Sequence, residues 1–212
     1  MEDRRYIVTG AAGGIGSAIT EVLMERGALV AMVDLDSDRV GKSAASFDPL
    51  RVLPLSCDVT DEADVAAAVE TVADTWGGID GLVNNAGAVV LDSAWDAGAA
   101  DWRRQLDVNV TGTFLCSRQV GNHLKERGGA IVNVASNCGK VGYKNMAAYN
   151  AAKAAVISLT RSLSMEWAEH SINVNAVCPG GVDTPMLAGV AEWLEPRLGV
   201  PATELLAGMG PA

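Results

Sequence analysis

The feature that most constrains the fold is Thr9-Gly10-Ala11-Ala12-Gly13-Gly14-Ile15-Gly16. It joins a short apolar run, Arg5–Thr9, to a stretch from Gly14 to Arg26 that reads as a helix ended by Gly27. Glycines at such a junction permit a tight turn and let the main chain approach a pyrophosphate. The helix start adds free N–H groups and the positive end of the dipole. The spacing is Gly10-x-x-x-Gly14-x-Gly16 rather than G-x-G-x-x-G. On the glycines alone, a ligand-free turn is the plain alternative.

Apolar runs and amphipathic stretches alternate along the rest of the chain. Ala28–Asp34 is a strand apolar on both faces, as in a buried parallel sheet. Ser37–Ser46 is a helix and Arg51–Ser56 a strand. Pro54 cannot donate to a ladder, so that strand is expected at a sheet edge. Thr60 is expected to cap a helix with Asp61 and Glu62 in its first turn and Val65, Val69, Val72 and Trp76 as its buried stripe. Gly81–Asn84 is a strand. A long helix from Asp101 to Lys125 carries Trp102, Leu106, Val110 and Phe114 on one face. Ala130–Ala135 is a strand, Met146–Glu169 a second long helix and Ile172–Val177 a sixth strand. The alternation predicts an α/β domain over 1–212 with a doubly wound parallel sheet and no linker.

Charge narrows the function. Lys+Arg number 16 and Asp+Glu 26, a net charge of −10. That argues against sequence-independent nucleic-acid binding, which needs a positive field. No apolar run approaches the ~18 residues of a membrane-spanning helix, and the first ten residues do not read as a secretion signal. The four cysteines form no C-x-x-C pair and the histidines are only His123 and His170. No metal site is expected, and reduced thiols fit a cytoplasmic setting.

Candidate site residues fall at strand ends. Asp34 closes the second strand, eighteen residues after Gly16. An acid near this spacing accepts hydrogen bonds from adenosine ribose hydroxyls and repels a 2′-phosphate. Asp36 is a weaker candidate. Asp58, followed by Val59, either bonds an adenine amino group or caps the next helix. Asn84-Asn85-Ala86-Gly87 follows the fourth strand, with Asn84 expected to be structural and Asn85, Ala86 and Gly87 nearer a cofactor. Ser136 ends the fifth strand. Tyr149 and Lys153, four apart, share one helix face. A lysine there favours the phenolate and is expected to lower the tyrosine pKa from about 10, which suits a general acid/base.

Taken together, the glycine turn, Asn84-Asn85-Ala86-Gly87, Asn109, Ser136, Tyr149-x-x-x-Lys153 and Pro179-Gly180 resemble the classical short-chain dehydrogenase/reductase family along essentially the whole chain. The resemblance implies a Rossmann-type sheet in order 3-2-1-4-5-6-7. It implies Tyr149 as acid/base, Ser136 polarising the substrate oxygen, and Lys153 on the nicotinamide ribose. Asn109 would hold a water in a proton relay to Lys153. Gly10, Gly14, Ile15 and Gly16 would cradle the pyrophosphate, and Pro179, Gly180, Val182 and Thr184 would meet the nicotinamide end. An acid at Asp34 implies NAD, and relatives preferring NADP often carry a basic residue at the position of Gly13. Asn137, Cys138, Val141, Gly142, Val89, Trp95 and the loop after Gly180 are expected to line a substrate pocket.

The expected activity is hydride transfer between NAD(H) and a secondary alcohol or ketone, with a leaning to polyols, acetoin or butanediol. An NADP-dependent 3-oxoacyl-carrier-protein reductase and a non-catalytic dinucleotide-binding protein are the alternatives. The resemblance also implies paired long helices joining protomers into dimers or a homotetramer. The helix from Met146, apolar nearly all round, agrees. No seventh strand is visible after Val177. The expectation is a C-terminally truncated member with six strands, an open edge at the sixth, and lower stability than a longer relative.

Overall fold

Six strands form one parallel sheet in the order β3-β2-β1-β4-β5-β6 in the computed structural model, which describes residues 1–209. The strands are β1 (Arg5–Thr9), β2 (Leu29–Asp34), β3 (Val52–Ser56), β4 (Gly81–Asn84), β5 (Gly129–Val134) and β6 (Ile172–Val177). The helices are α1 (Gly14–Glu25), α2 (Ser37–Ala44), α3 (Glu62–Trp76), α4 (Ala99–Leu106), α5 (Gly112–Leu124), α6 (Ala147–Glu166), α7 (Pro185–Leu198) and α8 (Ala202–Met209).

Alternation along the strands separates two cores. Ile7, Ala31, Leu82 and Ile131 face one side, where Val65, Val69 and Val72 of α3, Val120 and Leu124 of α5 and Leu163 of α6 close over them. Val8, Val30, Met32 and Val83 face the other, beneath Leu23 of α1 and Val40 and Ala44 of α2. The chain runs outward from β1 to β3, then returns to β4 on the opposite side of β1. The carboxyl ends of β1 and β4 therefore open a crevice at the point where the winding reverses, which is where open α/β sheets bind ligands.

Pro54 does lie in an edge strand, opposite Met32. Several expectations are corrected. The cap of α3 is Asp61, whose carboxylate accepts from the N–H groups of Ala63 and Asp64 at 2.8 and 3.1 Å. Thr60 instead turns its hydroxyl to Asp58. The carboxylate at Asp61 spans two orphan N–H groups, which explains its advantage. The helix expected from Asp101 to Lys125 is interrupted by a π turn at Asp107–Thr111 between α4 and α5. The second long helix ends at Glu166, where a 3₁₀ turn, Ala168–His170, leads into β6. Trp102 and Phe114 are 40% and 37% exposed, so their shared face points away from the core.

Among the described residues, β6 has a strand neighbour on one side only, β5. The chain beyond it forms α7 and α8 rather than a seventh strand. The helical turn expected over Pro201–Ala212 is α8, and its last three residues lie outside the described residues. Among the described residues no helix is long and apolar enough to cross a membrane.

Candidate active site

Three loop regions meet at the carboxyl ends of β1, β4, β5 and β6. The first is the glycine turn. Gly10 and Gly14 have φ of 62° and 55°, a region that favours glycine. A Cβ at Gly10 would meet the Ala86 main chain at 2.9 Å, so the turn and the Asn85-Ala86-Gly87 segment approach backbone to backbone. Gly16 is similarly pressed against the Gly10 carbonyl and the Asn85 amide. The buried Thr9 hydroxyl accepts from the N–H groups of Asn85 and Ala86, both at 3.0 Å. Asn85 Nδ2 donates back to the carbonyls of Thr9 and Gly10 at 3.0 and 2.9 Å. The Asn85 side chain thus clamps the turn instead of reaching into the crevice. Ile15 is half-buried in the first turn of α1.

Asp34 stands at the end of β2 and accepts from the Ala12 N–H at 3.0 Å. The same carboxylate accepts from Asp36 N–H at 3.4 Å. This ties the acid to the glycine turn. Asp36 caps α2 through the Arg39 N–H. Asp58 accepts from both the N–H and the hydroxyl of Thr60, at 2.9 and 2.7 Å, so it closes the turn ahead of α3 and does not cap the helix. The Val59 side chain is buried in the core against Gly112.

Asn84 is structural, as expected. Its buried amide donates to Ser117 Oγ at 2.9 Å and to Asn133 Oδ1 at 2.8 Å, and Asn133 donates on to Thr160. This chain links β4, α5, β5 and α6 beneath the site.

The second group lies on α6 and the end of β5. Ser136 caps the 3₁₀ turn Asn137–Gly139, accepting from the Cys138 N–H at 3.1 Å. Tyr149 and Lys153 are buried, with Lys153 Nζ 5.6 Å from the Tyr149 ring centre. Lys153 Nζ donates to the Val134 carbonyl at 2.9 Å. Burial pushes the Tyr149 phenol up to about 12, the Cys138 thiol adds to this, and a hydrogen bond with Ser136 opposes it. Burial draws Lys153 down to about 8. The expected lowering of the tyrosine is therefore reversed: desolvation disfavours the phenolate, and the opposing influence comes from the Ser136 hydrogen bond.

Asn109 sits inside the π turn and is fully buried. Its Nδ2 donates to the carbonyls of Ala88 and Gln105, both at 2.8 Å, while its Oδ1 is buried without a partner. A Cβ at Gly87 would lie 3.0 Å from that Oδ1 and 3.6 Å from Lys153 Nζ, so Gly87 lies against both groups. π turns recur at functional sites because the extra residue re-aims a side chain.

The third loop follows β6. The Pro179 carbonyl accepts from Asn137 N–H at 2.9 Å, which sets this loop beside Ser136. Gly180 and Val182 are exposed. Thr184 caps α7 through the Leu187 N–H, and its methyl packs near Gly14. Asn137 Nδ2 donates to the Tyr143 hydroxyl at 3.1 Å, whereas Trp95, expected to line the pocket, stands 97% exposed. Cys138 and Val89 are half-buried, whereas Val141 and Gly142 are exposed.

Two contributors escaped the sequence reading. A Cβ at Gly139 would meet the Lys153 main chain at 2.6 Å, so glycine lets the Ser136 turn close on α6. Gln105, one turn before Asn109, accepts from Val90 N–H and holds the loop after β4. Its only sequence signal is a polar residue at helical spacing from Asn109.

The glycine turn, the acid at its rim and the unpartnered Asn109 oxygen fit a dinucleotide across the crevice. The fold and this site define a Rossmann-type oxidoreductase. The chain belongs to the short chain dehydrogenase family, whose model matches residues 4–195. It is 43% identical over 185 residues to "2-(S)-hydroxypropyl-CoM dehydrogenase 3" of Xanthobacter autotrophicus, covering 86% of this chain and 72% of that protein. It is 38% identical over 180 residues to the "NAD-dependent glycerol dehydrogenase" of Listeria innocua, covering 84% and 70%. The crystal structure of levodione reductase superposes with a TM-score of 0.89 at 34% identity, covering 93% of this chain and 79% of that one.

Proposed function

We propose that the chain is an NAD-dependent dehydrogenase/reductase that interconverts a secondary alcohol and its ketone, with diols and polyols as the favoured substrates. The observation that carries this reading is the convergence of Ser136, Tyr149 and Lys153 at the end of β5, beside Asn109 in its π turn. NAD(H), when bound, supplies or accepts the hydride.

The chain's own residues handle the oxygen and its proton. Ser136 donates a hydrogen bond to the substrate oxygen and orients it. Tyr149 Oη takes the hydroxyl proton during oxidation and returns it during reduction. Burial keeps the phenol protonated at neutral pH, which suits donation. The Lys153 ammonium opposes that bias by favouring the phenolate, and it holds the nicotinamide ribose. Asn109 Oδ1 suits a water that relays the proton toward Lys153. Gly10, Gly14, Ile15, Gly16 and the Asn85-Ala86-Gly87 main chain cradle the phosphates and adenosine side. The main chain at Asp58 and Val59 flanks the adenine, and Pro179, Gly180, Val182 and Thr184 flank the nicotinamide.

Asp34 supports NAD over NADP, because a carboxylate facing a 2′-phosphate is a like-charge clash. The similar glycerol dehydrogenase of Listeria innocua is NAD-dependent. Diols are supported by the hydrogen-bonded Asn137–Tyr143 pair next to Ser136, which offers a second polar contact. A homo-oligomer is supported by the outward face of Trp102 and Phe114 and by Met165 on α6, 81% exposed. The four free thiols support a reducing, cytoplasmic setting. The test is reduction of NAD and NADP by a panel of alcohols and diols, with the reverse reaction on ketones. Activity on secondary alcohols with NAD is expected, and no turnover on any of them would overturn the reading.

A further inference from the structure

Gly13 stands at the start of α1 with φ of 175°, extended backbone open to any residue. What fills the space beside it is another side chain. A Cβ at Gly13 would meet Arg39 Nη2 at 2.5 Å and the guanidinium carbon at 3.5 Å. Arg39 comes from the first turn of α2, where its main-chain N–H donates to the Asp36 cap at 3.0 Å. Asp34, Asp36 and Asp38 all lie within five residues of it. Among the described residues, however, the ion pairs formed do not include Arg39. Its exposed cation lies over the glycine turn instead.

The neighbours on that turn give the position meaning. Ala12, adjacent to Gly13, holds the Asp34 carboxylate through its N–H. Adjacent residues of the turn thus meet an anion suited to ribose hydroxyls, at Ala12, and a cation outside any ion pair among the described residues, at Gly13. By sequence order, Gly13 leaves the motif without a basic residue. In space, α2 delivers a guanidinium to the same spot. A planar guanidinium is well matched to phosphate oxygens.

We propose that Arg39 is a specificity-determining residue for the adenosine end of the cofactor. It provides the cation for a phosphate on the adenosine ribose, so Asp34 alone carries the discrimination against NADP(H). Neutralising Asp34 then suffices to admit NADP(H), with no new basic residue. This rests on the proposed reading of the turn and Asp34 as a dinucleotide site.

The test is fluorescence titration of NADH and NADPH into wild type, D34N, R39Q and D34N/R39Q. Asparagine keeps an oxygen that can accept the Ala12 N–H, and Arg39 is exposed, so the fold is retained. D34N is expected to raise NADPH affinity by on the order of tenfold. D34N/R39Q is expected to return that gain, the size of a charge-assisted hydrogen bond, while its NADH affinity differs from that of D34N by less than about threefold. The NADPH affinity of D34N should also fall more steeply with salt than that of the double variant. R39Q alone should widen the preference for NADH. Equal NADPH affinity with and without Arg39 in both backgrounds overturns the proposal. Failure of the wild type to bind either dinucleotide instead overturns the cofactor reading, and this proposal with it.

Discussion

Lys153 Nζ donates to the Val134 main-chain carbonyl at 2.9 Å, a bond that ties the middle of α6 to the end of β5. The ammonium is buried for this, and its pKa falls to about 8. Between pH 8 and the ordinary lysine value of 10.5, the folded chain holds fewer protons than the unfolded one. Stability from this group therefore rises with pH across that window. The cost of the buried charge is fully present below pH 8. Lys153→Met is expected to abolish turnover yet raise the melting temperature at pH 7, with the gain shrinking toward pH 10.5. Melting curves of both proteins over that range check this; a gain that grows with pH would contradict it.

Tyr149→Phe removes the proposed proton donor but keeps the buried ring. General acid catalysis contributes roughly 10²–10⁴-fold. Turnover is expected to fall by at least the lower figure while NADH binding persists. Wild-type turnover in the variant would remove Tyr149 from the mechanism.

Asp34 is expected to make NAD the better cofactor in wild type. Paired kcat/KM measurements with NAD and NADP on one alcohol check this. A higher value with NADP would show that the carboxylate does not govern the choice.

Asn133→Ala leaves the Asn84 amide and the Thr160 hydroxyl short of partners in a dry interior. Such losses destabilise by about 1–3 kcal/mol, and each kcal/mol lowers Tm by about 2–4 °C in a domain this size. Calorimetry should show that drop. An unchanged Tm would mean that the network contributes nothing to stability.

Phe114, 37% exposed with Arg118 stacked 5.3 Å from its ring centre, lies on the proposed subunit face. Light scattering at micromolar concentration is expected to show an oligomer, and Phe114→Glu a smaller mass. A wild-type monomer would rule out that use of the face.

Much of the molecule was legible in the sequence. Glycine spacing marked the turn between β1 and α1, two-sided apolar runs marked the buried strands, and Pro54 marked the edge. These are local effects: a missing Cβ, a missing N–H, a period of apolar residues. The sequence alone also paired Tyr149 with Lys153, because helical geometry sets neighbours four apart. Only the tertiary structure decided what depends on burial and on contacts between distant segments. It raised the Tyr149 pKa instead of lowering it, since desolvation depends on what closes over α6. It turned Asn85 back onto the Gly10 carbonyl and left Asn109 Oδ1 unpartnered in a π turn. It also brought Arg39 of α2 over Gly13, because parallel strands place the loops after β1 and β2 side by side.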